Sequence, residues 1–360
     1  MKVILLAPSR SIHTHKWAKF YQERGIQVKV ATFSDHYSEE NAKQVDTFTL
    51  PKHLPGKMSY FSAVFALRKL INEFKPDILH AHYVSSYGVL GALANFHPYY
   101  VSVWGRDVFQ FPQQGQVNKK LVEFALKKAD VICSTSKVMA VETNLYTDKE
   151  IHVTPFGVNM EYFNPENNEI GHDKKVIGTV KALEDKYGIG DLVRAFAIVH
   201  ENHPDTELLI VGDGRQRKEY EDLAAQLGIA NVTTFTGKVP NEEVPDYIKK
   251  MTVFAVPSTE NSESFGVAAV ESMACGVPVV VSNIGGLPEV VVDGITGIVV
   301  PKENPQKLAE AFTRIIEDRQ LAVRMGEEGI KHVAKHFNWI DNANYMLTLY
   351  DKTLKGGEGV

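Results

Sequence analysis

The chain has few cysteines and no long apolar run. Its two cysteines, Cys133 and Cys275, lie in different halves of the 360 residues and belong to no Cys-x-x-Cys pair or Cys/His cluster. This pattern argues against a disulfide framework and a zinc site, and it is typical of a reducing compartment. No stretch approaches the ~18 apolar residues of a membrane-spanning helix. No dense stripe of lysine and arginine is present, which argues against nucleic-acid binding.

The first ten residues, MKVILLAPSR, contain only a short apolar run that ends at a proline. The apolar core of a signal peptide needs ~7–15 residues, so we expect a buried first strand here and a cytoplasmic protein. A second apolar stretch, MSYFSAVFALRKL (58–70), has a basic end. This stretch favours core packing, and peripheral contact with the inner membrane face is the alternative.

The net charge of −5 is unevenly distributed. Residues 1–165 hold 19 Lys and Arg against 14 Asp and Glu, a net of +5, and residues 166–360 hold 20 against 30, a net of −10. A positive first half predicts an anionic partner, either a phospholipid surface or a phosphorylated small molecule. Drift in the charge of a solvated surface explains the same asymmetry, so both interpretations stay open.

Composition and periodicity predict two α/β domains. Apolar residues make up 44% of the chain and charged residues 23%, as in soluble globular proteins. Short β-branched runs alternate with amphipathic stretches, which predicts parallel sheets covered by helices. The predicted strands are 3–7, 28–32, 78–81, 99–103, 131–134 and 151–154 in the first half, and 176–180, 207–211, 232–236, 253–256, 277–282 and 297–300 in the second.

The polar segment EYFNPENNEIGHDKK (161–175) loses periodicity and indicates a linker. It predicts a first domain over 1–165 and a second over 166–338, with an amphipathic tail helix at about 339–360 that packs back on the first. We expect two Rossmann-like, doubly wound domains facing an interdomain cleft, because ligands bind at the carboxyl ends of parallel strands.

The segment PSTENSESFGVAAVESMACGVPVVVS (257–282) carries the clearest functional pattern. A polar loop follows a strand, and a helix begins near Phe265 and Gly266 and stops at Gly276. The first backbone amides of that helix, together with its dipole, favour an anion, and a glycine lets a phosphate approach closely. The segment therefore predicts a phosphate site around Ser264–Val267.

Two carboxylates bracket this predicted phosphate site, Glu263 just before the helix and Glu271 inside it. Carboxylates repel phosphate but accept hydrogen bonds from sugar hydroxyls. The ligand that fits has phosphate in the middle and hydroxyl groups at both ends, as in a sugar–diphosphate–nucleoside. Either residue alone would be an ordinary surface charge.

The spacing Glu263-x7-Glu271 within ESFGVAAVESMACGVPVVVS closely resembles the signature of glycosyltransferase family 4, and the resemblance continues through IGGLPEVVVDGITGIVV (284–300). It implies the GT-B fold and a retaining transfer of a sugar from a nucleotide to an acceptor hydroxyl. By this resemblance Glu263 contacts the donor sugar, Glu271 contacts the ribose, and the amides of Phe265–Val267 meet the diphosphate.

A leaving nucleoside diphosphate needs positive charge, and no Asp-x-Asp metal motif occurs in the sequence. We therefore expect fixed cations, no metal and no cofactor beyond the nucleotide-sugar co-substrate. Lys181 and Lys186 follow a predicted strand in VKALEDKYGIGDLVRAF, which resembles the family's Arg…Lys segment with Lys in place of Arg. Solvated loop lysines are the alternative for this pair.

Two further loops are expected beside the nucleoside. Gly212 and Gly214 lie in VGDGRQR, and Lys238 and Val239 lie in TGKVP; by resemblance the latter contact the base through the backbone. A UDP-sugar is favoured and a GDP-sugar is the alternative. Arg217 stands where Gly-x-Gly-x-x-Gly has its third glycine, which disfavours a nicotinamide enzyme.

The resemblance is looser in the first half, which is expected to bind the acceptor. Trp104 replaces the family's usual histidine in VSVWGRDV, and there we expect it to stack on a sugar. Asp107 in the same segment is a candidate general base. The other expected acceptor-side residues are His15 and Lys16 after the first strand, His82 at a strand end, and Gly157 in PFGVNMEYF.

Three interpretations of the sequence stay open. The first is a retaining, metal-independent glycosyltransferase that moves a hexose or N-acetylhexosamine, in cell-surface glycan or glycolipid synthesis. The second is a nucleotide-sugar epimerase of the same fold, which needs no acceptor. The third is a nucleotide-sugar-binding protein without turnover, suggested by Trp104.

Overall fold

A computed structural model of the chain describes residues 1–52, 59–166 and 175–356. The chain forms two compact units, here called the first unit (Met1–Pro155 and the residues from Asn342) and the second unit (Phe156–Asp341). The division falls ten residues before the predicted boundary at 165. Each unit is a parallel sheet flanked by helices, so the predicted pair of α/β domains is confirmed.

The sheet of the first unit has the strand order β3-β2-β1-β4-β5-β6-β7 in the described residues, and the pairs are parallel. Strand β3 was not predicted, because it is a four-residue edge strand between polar segments. The strands are β1 (Lys2–Leu6), β2 (Gln27–Phe33), β3 (Thr47–Leu50), β4 (Ile78–His82), β5 (Tyr99–Val103), β6 (Val131–Ser134) and β7 (Ile151–Val153).

Helices cover both faces of this sheet, and a π-helical turn (Val84–Gly88) follows β4. Leu67, Leu90 and Leu126 on three of the helices are completely buried in the main apolar core. The helices are α1 (Ile12–Glu23), α2 (Glu39–Ala42), α3 (Ser59–Phe74), α4 (Val89–Ala94), α5 (Arg106–Phe109), α6 (Gln116–Lys128) and α7 (Lys137–Thr143).

The tail helix α15 (Trp339–Gly356) contributes its residues from Asn342 to the first unit. Its Tyr350 is completely buried there, and its hydroxyl lies 3.1 Å from that of Tyr21. Tyr100 donates a 2.9 Å hydrogen bond to the Leu349 carbonyl. These polar contacts fix the register of a helix that packing alone would leave free to slide.

The sheet of the second unit has the order β10-β9-β8-β11-β12-β13 in the described residues, again with parallel pairs. Its central strands are buried and almost wholly apolar, as parallel strands covered on both faces must be. The strands are β8 (Lys175–Val180), β9 (Thr206–Val211), β10 (Thr233–Gly237), β11 (Val253–Val256), β12 (Val279–Ser282) and β13 (Gly297–Val300).

Helices α8 and α13 pack on this second sheet and bury Phe196 and Phe312 completely. The helix predicted after Gly266 is present and ends near the predicted stop. The helices are α8 (Ile189–Asn202), α9 (Arg217–Gln226), α10 (Val244–Ile248), α11 (Val267–Ala274), α12 (Leu287–Val290), α13 (Pro305–Glu317) and α14 (Arg319–His336). None of the helices in the described parts of the chain is both long and apolar enough to cross a bilayer.

The strand order reverses direction once in each sheet, between β1 and β4 in the first unit and between β8 and β11 in the second. At such a switch point the loops leave in opposite directions and open a crevice at the carboxyl ends of the strands. Most of the predicted functional residues lie at the ends of β4 and β5 or after them in the first unit, and after β8, β9, β10 and β11 in the second. The topology therefore places them at the edges where ligands bind.

Candidate functional site

Three loops of the second unit interlock at the carboxyl ends of β8, β11 and β12. A Cβ at Gly188 would lie 1.9 Å from the Pro257 carbonyl oxygen, and a Cβ at Gly285 would lie 2.2 Å from that of Glu263. Both glycines have positive φ, 66° and 54°. The Gly286 N–H also donates to the Glu263 carbonyl at 2.9 Å. Only glycine allows such close approach, so these loops are held in one arrangement.

Glu263 is held at its carboxylate by two partners. Lys181 Nζ lies 2.8 Å from Glu263 Oε2, and the side chains are only 14% and 9% exposed. The Ser258 hydroxyl donates to the same oxygen at 3.0 Å. A pair so sheltered from water is positioned far more firmly than an ordinary surface ion pair. The structure thus brings together two residues that the sequence analysis assigned separately.

The two predicted cations, Lys181 and Lys186, both lie beside the ring of Tyr187. The ammonium nitrogens of Lys181 and Lys186 each lie 4.6 Å from the centroid of its ring. Lys186 also forms a 3.1 Å ion pair with Glu184. Burial lowers the pKa of the Lys186 ammonium, but its interactions with Tyr187 and Glu184 outweigh burial, so the net shift is upward. Lys186 therefore stays charged at neutral pH, and Lys181 lies beside the same aromatic ring.

The start of α11 carries the residues of the predicted phosphate site. Gly266 precedes the helix with φ 82° and has no side chain to cap the first turn. Ser264 and Phe265 are buried, and the Phe265 ring lies 5.5 Å from that of Phe337. This packing of the Phe265 ring holds the peptide groups before α11 in place, and Val267 is the first residue of the helix. Glu271, the fifth residue of α11, is half-buried.

Gly212 and Gly214, in the loop after β9, allow a close backbone approach that the sequence did not reveal. A Cβ at Gly212 would lie 2.0 Å from the Lys181 carbonyl oxygen, and one at Gly214 would lie 2.3 Å from that of Leu183. These two glycines let the loop after β9 lie against the loop that carries Lys181.

The positions expected to contact the base follow the neighbouring edge strand, β10. Lys238 is exposed and Val239 is half-buried. The loops after β9 and β10 are joined by a 3.0 Å bond from the Gly212 N–H to the Gly237 carbonyl. This hydrogen bond therefore holds the loop that carries Lys238 against the loop of Gly212 and Gly214, which lies beside Lys181.

Gly157, grouped with the acceptor side in the sequence analysis, lies in the second unit. Its φ of 64° requires glycine, and the ring of its neighbour Phe156 lies 6.2 Å from that of Phe265. The Val158 N–H and the Trp339 N–H exchange backbone bonds with the carbonyls of Phe337 and Val158, at 2.8 and 3.0 Å. This segment supports the start of α11 from within the same unit.

In the first unit, the buried Asp107 accepts hydrogen bonds from three backbone N–H groups. Its Oδ2 accepts from the Val84 N–H at 2.8 Å, and its Oδ1 accepts from the N–H groups of Trp104 and Gly105 at 3.1 and 2.8 Å. Burial raises the pKa of this carboxyl, while the three N–H groups act in the opposite direction. Asp107 thus joins the loops after β4 and β5.

The rings of His82 and Trp104 lie against each other at the carboxyl ends of β4 and β5, with centroids 4.3 Å apart. His82 is 1% exposed and its Nδ1 has no hydrogen-bond partner among the described residues. Burial, helped by His80 and His13, holds the pKa of His82 well below its usual range. Its imidazole is therefore neutral at physiological pH.

His80, which the sequence analysis did not select, is the anchored member of this cluster. Its Nδ1 lies 2.5 Å from the Tyr350 hydroxyl and its Nε2 lies 2.7 Å from the Ser102 hydroxyl. Burial lowers its pKa to about 3. The alternation in the sequence HAH, at the end of a strand, puts both imidazoles into the protein interior.

His15 and Lys16 lie in the first turn of α1 rather than in an open loop. Both side chains are half-buried, and burial is the main cause that lowers the pKa of His15. They are separated along the chain from the loops after β4 and β5. Both residues follow the loop that leaves β1.

The residues that hold the site in place, rather than form its charges, were not predicted. Ser258, Tyr187, Gly188, Gly285 and Gly286 all act through tertiary contacts. The paired glycines directly after β12 were a usable signal, because adjacent glycines after a strand indicate a close backbone approach. Nothing local marks Tyr187 or Ser258. Within the described residues, no group of three or more His, Cys, Asp or Glu side chains is arranged to hold a metal ion.

Two family models match the chain. One, described as glycosyl transferases group 1, matches residues 161–332, and the other, described as glycosyl transferase 4-like, matches residues 2–136. The first of these ranges contains Lys181, Glu263 and α11, and the second contains His82 and Asp107.

Curated relatives and solved structures agree with the family models. A D-inositol 3-phosphate glycosyltransferase of Corynebacterium glutamicum is 30% identical over 375 residues, covering 92% of this chain and 88% of the relative. An uncharacterized glycosyltransferase of Methanocaldococcus jannaschii is 28% identical over 322 residues, covering 88% and 87%. Another D-inositol 3-phosphate glycosyltransferase, from Corynebacterium jeikeium, matches this chain over only 53% of its own length. Anabaena HepE in complex with UDP has a similar fold, with a TM-score of 0.84 at 20% identity, covering 98% of this chain and 100% of that one. The chain is therefore a glycosyltransferase of family 4, with the GT-B fold.

Proposed function

We propose that the protein is a retaining, metal-independent glycosyltransferase that moves a hexose or N-acetylhexosamine from a nucleoside-diphosphate sugar to a hydroxyl acceptor, in cell-surface glycan or glycolipid synthesis. The observation that carries this proposal is the arrangement of two ammonium groups on Tyr187, one of them 2.8 Å from Glu263. The start of α11 follows Glu263 in the same fixed loop. Cations, carboxylate and free helix amides are the groups that a sugar diphosphate needs.

The diphosphate binds at the amides of Phe265–Val267, opposite the ammonium groups of Lys181 and Lys186. In the free protein Glu263 neutralises Lys181. When the donor binds, Glu263 accepts hydrogen bonds from the sugar hydroxyls and Lys181 turns to the phosphate, so each charge exchanges one partner for another. Glu271 takes the ribose hydroxyls. Such an exchange avoids leaving a sheltered charge unpaired.

A uridine nucleotide is the favoured donor and a guanosine nucleotide is the alternative. The solved structures of Anabaena HepE with UDP and with UDP-glucose support the former by fold similarity. In this chain the base lies along the backbone after β9 and β10, at Gly212, Gly214, Lys238 and Val239. Backbone contacts exclude few bases, so the test must compare donors directly.

Two fixed ammonium groups take the role that a metal plays in other transferases. They lie where charge develops on the leaving diphosphate, which is the interaction that accelerates the chemical step. The leaving phosphate then accepts the proton of the acceptor hydroxyl on the same face of the sugar, which gives retention of configuration. EDTA should leave transfer unchanged.

The acceptor binds to the first unit beside Trp104, which is 8% exposed and packs against His82. The name of the C. glutamicum relative, a D-inositol 3-phosphate glycosyltransferase, supports a small polyhydroxylated acceptor. The neutral imidazole of His82 can accept or donate one hydrogen bond at Nδ1. His15 and Lys16 contribute from α1.

Asp107 as general base remains a second proposal for the proton transfer. Its three backbone donors favour a positioning role, because they occupy both oxygens. An Asp107→Asn variant separates the two roles. A base predicts a loss of kcat with unchanged thermal stability, whereas a positioning role predicts a lower melting temperature and a higher KM for the acceptor.

The deciding experiment is a thermal-shift screen of UDP- and GDP-sugars on the whole chain, followed by assays of nucleotide release. A donor at 100 times its dissociation constant should stabilise the protein by ~2.7 kcal/mol. Release of nucleoside diphosphate that requires an acceptor, with a product of retained anomeric configuration by NMR, supports the proposal. Conversion of the donor without acceptor would indicate an epimerase, and binding without release would indicate a protein without turnover.

A further inference from the structure

A polar pocket of about 350 Å³ lies in the first unit at the carboxyl ends of β4 and β5. Its wall includes Tyr83 and Ser85 from the loop after β4, and Arg106, Gln110 and Gln114 from the segment after β5. The two strands are adjacent and parallel. Pockets of ~300–1,000 Å³ hold small ligands, so this one has room for a single sugar-sized group.

The walls of the pocket are fixed by the backbone. Tyr83 has φ 70°, an uncommon conformation for a residue with a side chain, and the π-helical turn Val84–Gly88 begins directly after it. Asp107 ties the Val84 N–H to the N–H groups of Trp104 and Gly105. Strain and π-helical turns persist where surrounding structure maintains them, and they concentrate at ligand sites.

The pocket wall carries one cation, Arg106, and one carboxylate, Asp107. The exposed Arg106 donates from Nε to Gln110 Oε1 at 2.8 Å, and within the described part of the chain its guanidinium forms no ion pair. The carboxylate of the next residue, Asp107, lies in the same wall but is taken up by backbone donors. The Tyr83 hydroxyl remains a neutral donor, because burial raises its pKa to about 12.

We infer that this pocket binds the acceptor and that Arg106 makes it select acceptors that carry a phosphate or carboxylate group. The inference rests on the proposed function and adds the chemical class of its acceptor. A guanidinium fork binds phosphate or carboxylate through two parallel hydrogen bonds, and neutral Gln110, Gln114 and Tyr83 are suited to the hydroxyl groups beside it. A free phosphorylated sugar and a lipid headgroup share this chemistry.

The test measures acceptor binding by calorimetry on the whole chain in the presence of UDP. Each anionic probe is paired with its neutral parent: D-inositol 3-phosphate with inositol, and D-glucose 6-phosphate and D-glucuronate with glucose. Phosphatidylcholine vesicles with and without phosphatidylinositol test the lipid source by co-sedimentation. The variants are Arg106→Gln, which keeps a polar side chain without charge, Arg106→Lys, and the matched control Arg319→Gln on the exposed start of α14.

The expected result is that at least one anionic probe binds at least tenfold more tightly than its neutral parent, and that Arg106→Gln removes this preference. Arg106→Lys should restore part of it, and Arg319→Gln should behave as the wild type. Equal binding of charged and neutral probes, no binding of any probe, or the same preference in Arg106→Gln overturns the inference. Donor binding is measured separately, so a protein that binds UDP-sugars but shows no anion preference refutes this inference and leaves the proposed function intact.

Discussion

At the carboxyl ends of β8 and β11 in the second unit, charged side chains lie together. At the carboxyl ends of β4 and β5 in the first unit, neutral rings lie together. Lys181 and Glu263 form an ion pair sheltered from water, and Lys186 shares the ring of Tyr187. His80 and His82 are neutral because burial lowers the pKa of each. The two units have the same layered architecture, so the difference lies in the residues at the ends of the strands and in the loops that follow them.

This contrast matches the two tasks of the proposed reaction. A diphosphate is a strong anion and needs fixed positive charge. An acceptor sugar needs aromatic rings against its apolar face and neutral groups that hydrogen-bond its hydroxyls. The first unit keeps one exposed cation, Arg106, at its pocket. Each variant below changes one side of the contrast, and the variants run from the largest expected effect to the smallest.

Lys181→Met should lower kcat by about 10²–10³-fold, as the loss of one preorganised group that stabilises a leaving anion usually does. Lys181→Arg should restore most of the activity, because it restores the charge. Nucleotide release under saturating donor is the measurement. The control is Lys335→Met, an exposed lysine on α14. A kcat within threefold of the wild type would remove Lys181 from the chemistry.

Gly188→Ala should destabilise the second unit by about 2–4 kcal/mol, because the new Cβ would meet the Pro257 carbonyl in addition to the strain of positive φ. Gly228→Ala is the matched control. Gly228 has φ 74° and nothing within 4 Å of its added Cβ, so it should lose only about 1 kcal/mol. Thermal unfolding of both variants, with and without donor, measures the difference. Equal losses would show that the loop approach contributes nothing.

His80→Gln should weaken the acid sensitivity of the first unit. The unfolded imidazole binds a proton below pH 6.5, but the folded one does so only below about 3, so the stability due to His80 is present above pH 6.5 and is lost as the pH falls toward 3. At pH 5 this loss is about 2 kcal/mol. Urea unfolding at pH 8 and pH 5, followed by tryptophan fluorescence, tests it, since Trp17 and Trp104 lie in the first unit.

The control for this pH experiment is His336→Gln, an exposed histidine of the second unit. It should show the same difference between pH 8 and pH 5 as the wild type. If His80→Gln also keeps the full wild-type difference, buried imidazoles do not account for the pH dependence, and the neutral character of the first edge must have another origin.

Tyr187→Leu should weaken donor binding by about 2–30-fold, because a partly desolvated cation–π contact contributes ~0.5–2 kcal/mol. Tyr187→Phe keeps the ring and should stay close to the wild type. Titration of each variant with UDP separates binding from turnover. If both variants lose affinity alike, the hydroxyl of Tyr187, rather than its ring, positions the two lysines.

Local patterns were enough where a function depends on consecutive residues. The helix stop at Gly276 and a helix start near Phe265 and Gly266, where α11 begins at Val267, could be predicted, because capping residues and helix geometry act between neighbours in sequence. The short edge strand β3 was missed, since its four residues carry too little periodicity. The pairing of Lys181 with Glu263 was also missed, because it joins residues 82 positions apart.

The sequence by itself determined the class of the protein: alternating strands and helices, a glycine-led helix start, and two acids at fixed spacing. These are set by local backbone chemistry and by the periodicity of burial. Only the tertiary structure decided which charges meet, that Asp107 accepts hydrogen bonds from three N–H groups, and that His80 and His82 are neutral. Those properties depend on desolvation and on partners brought from distant strands, and the order of strands in a sheet is not written in any one segment.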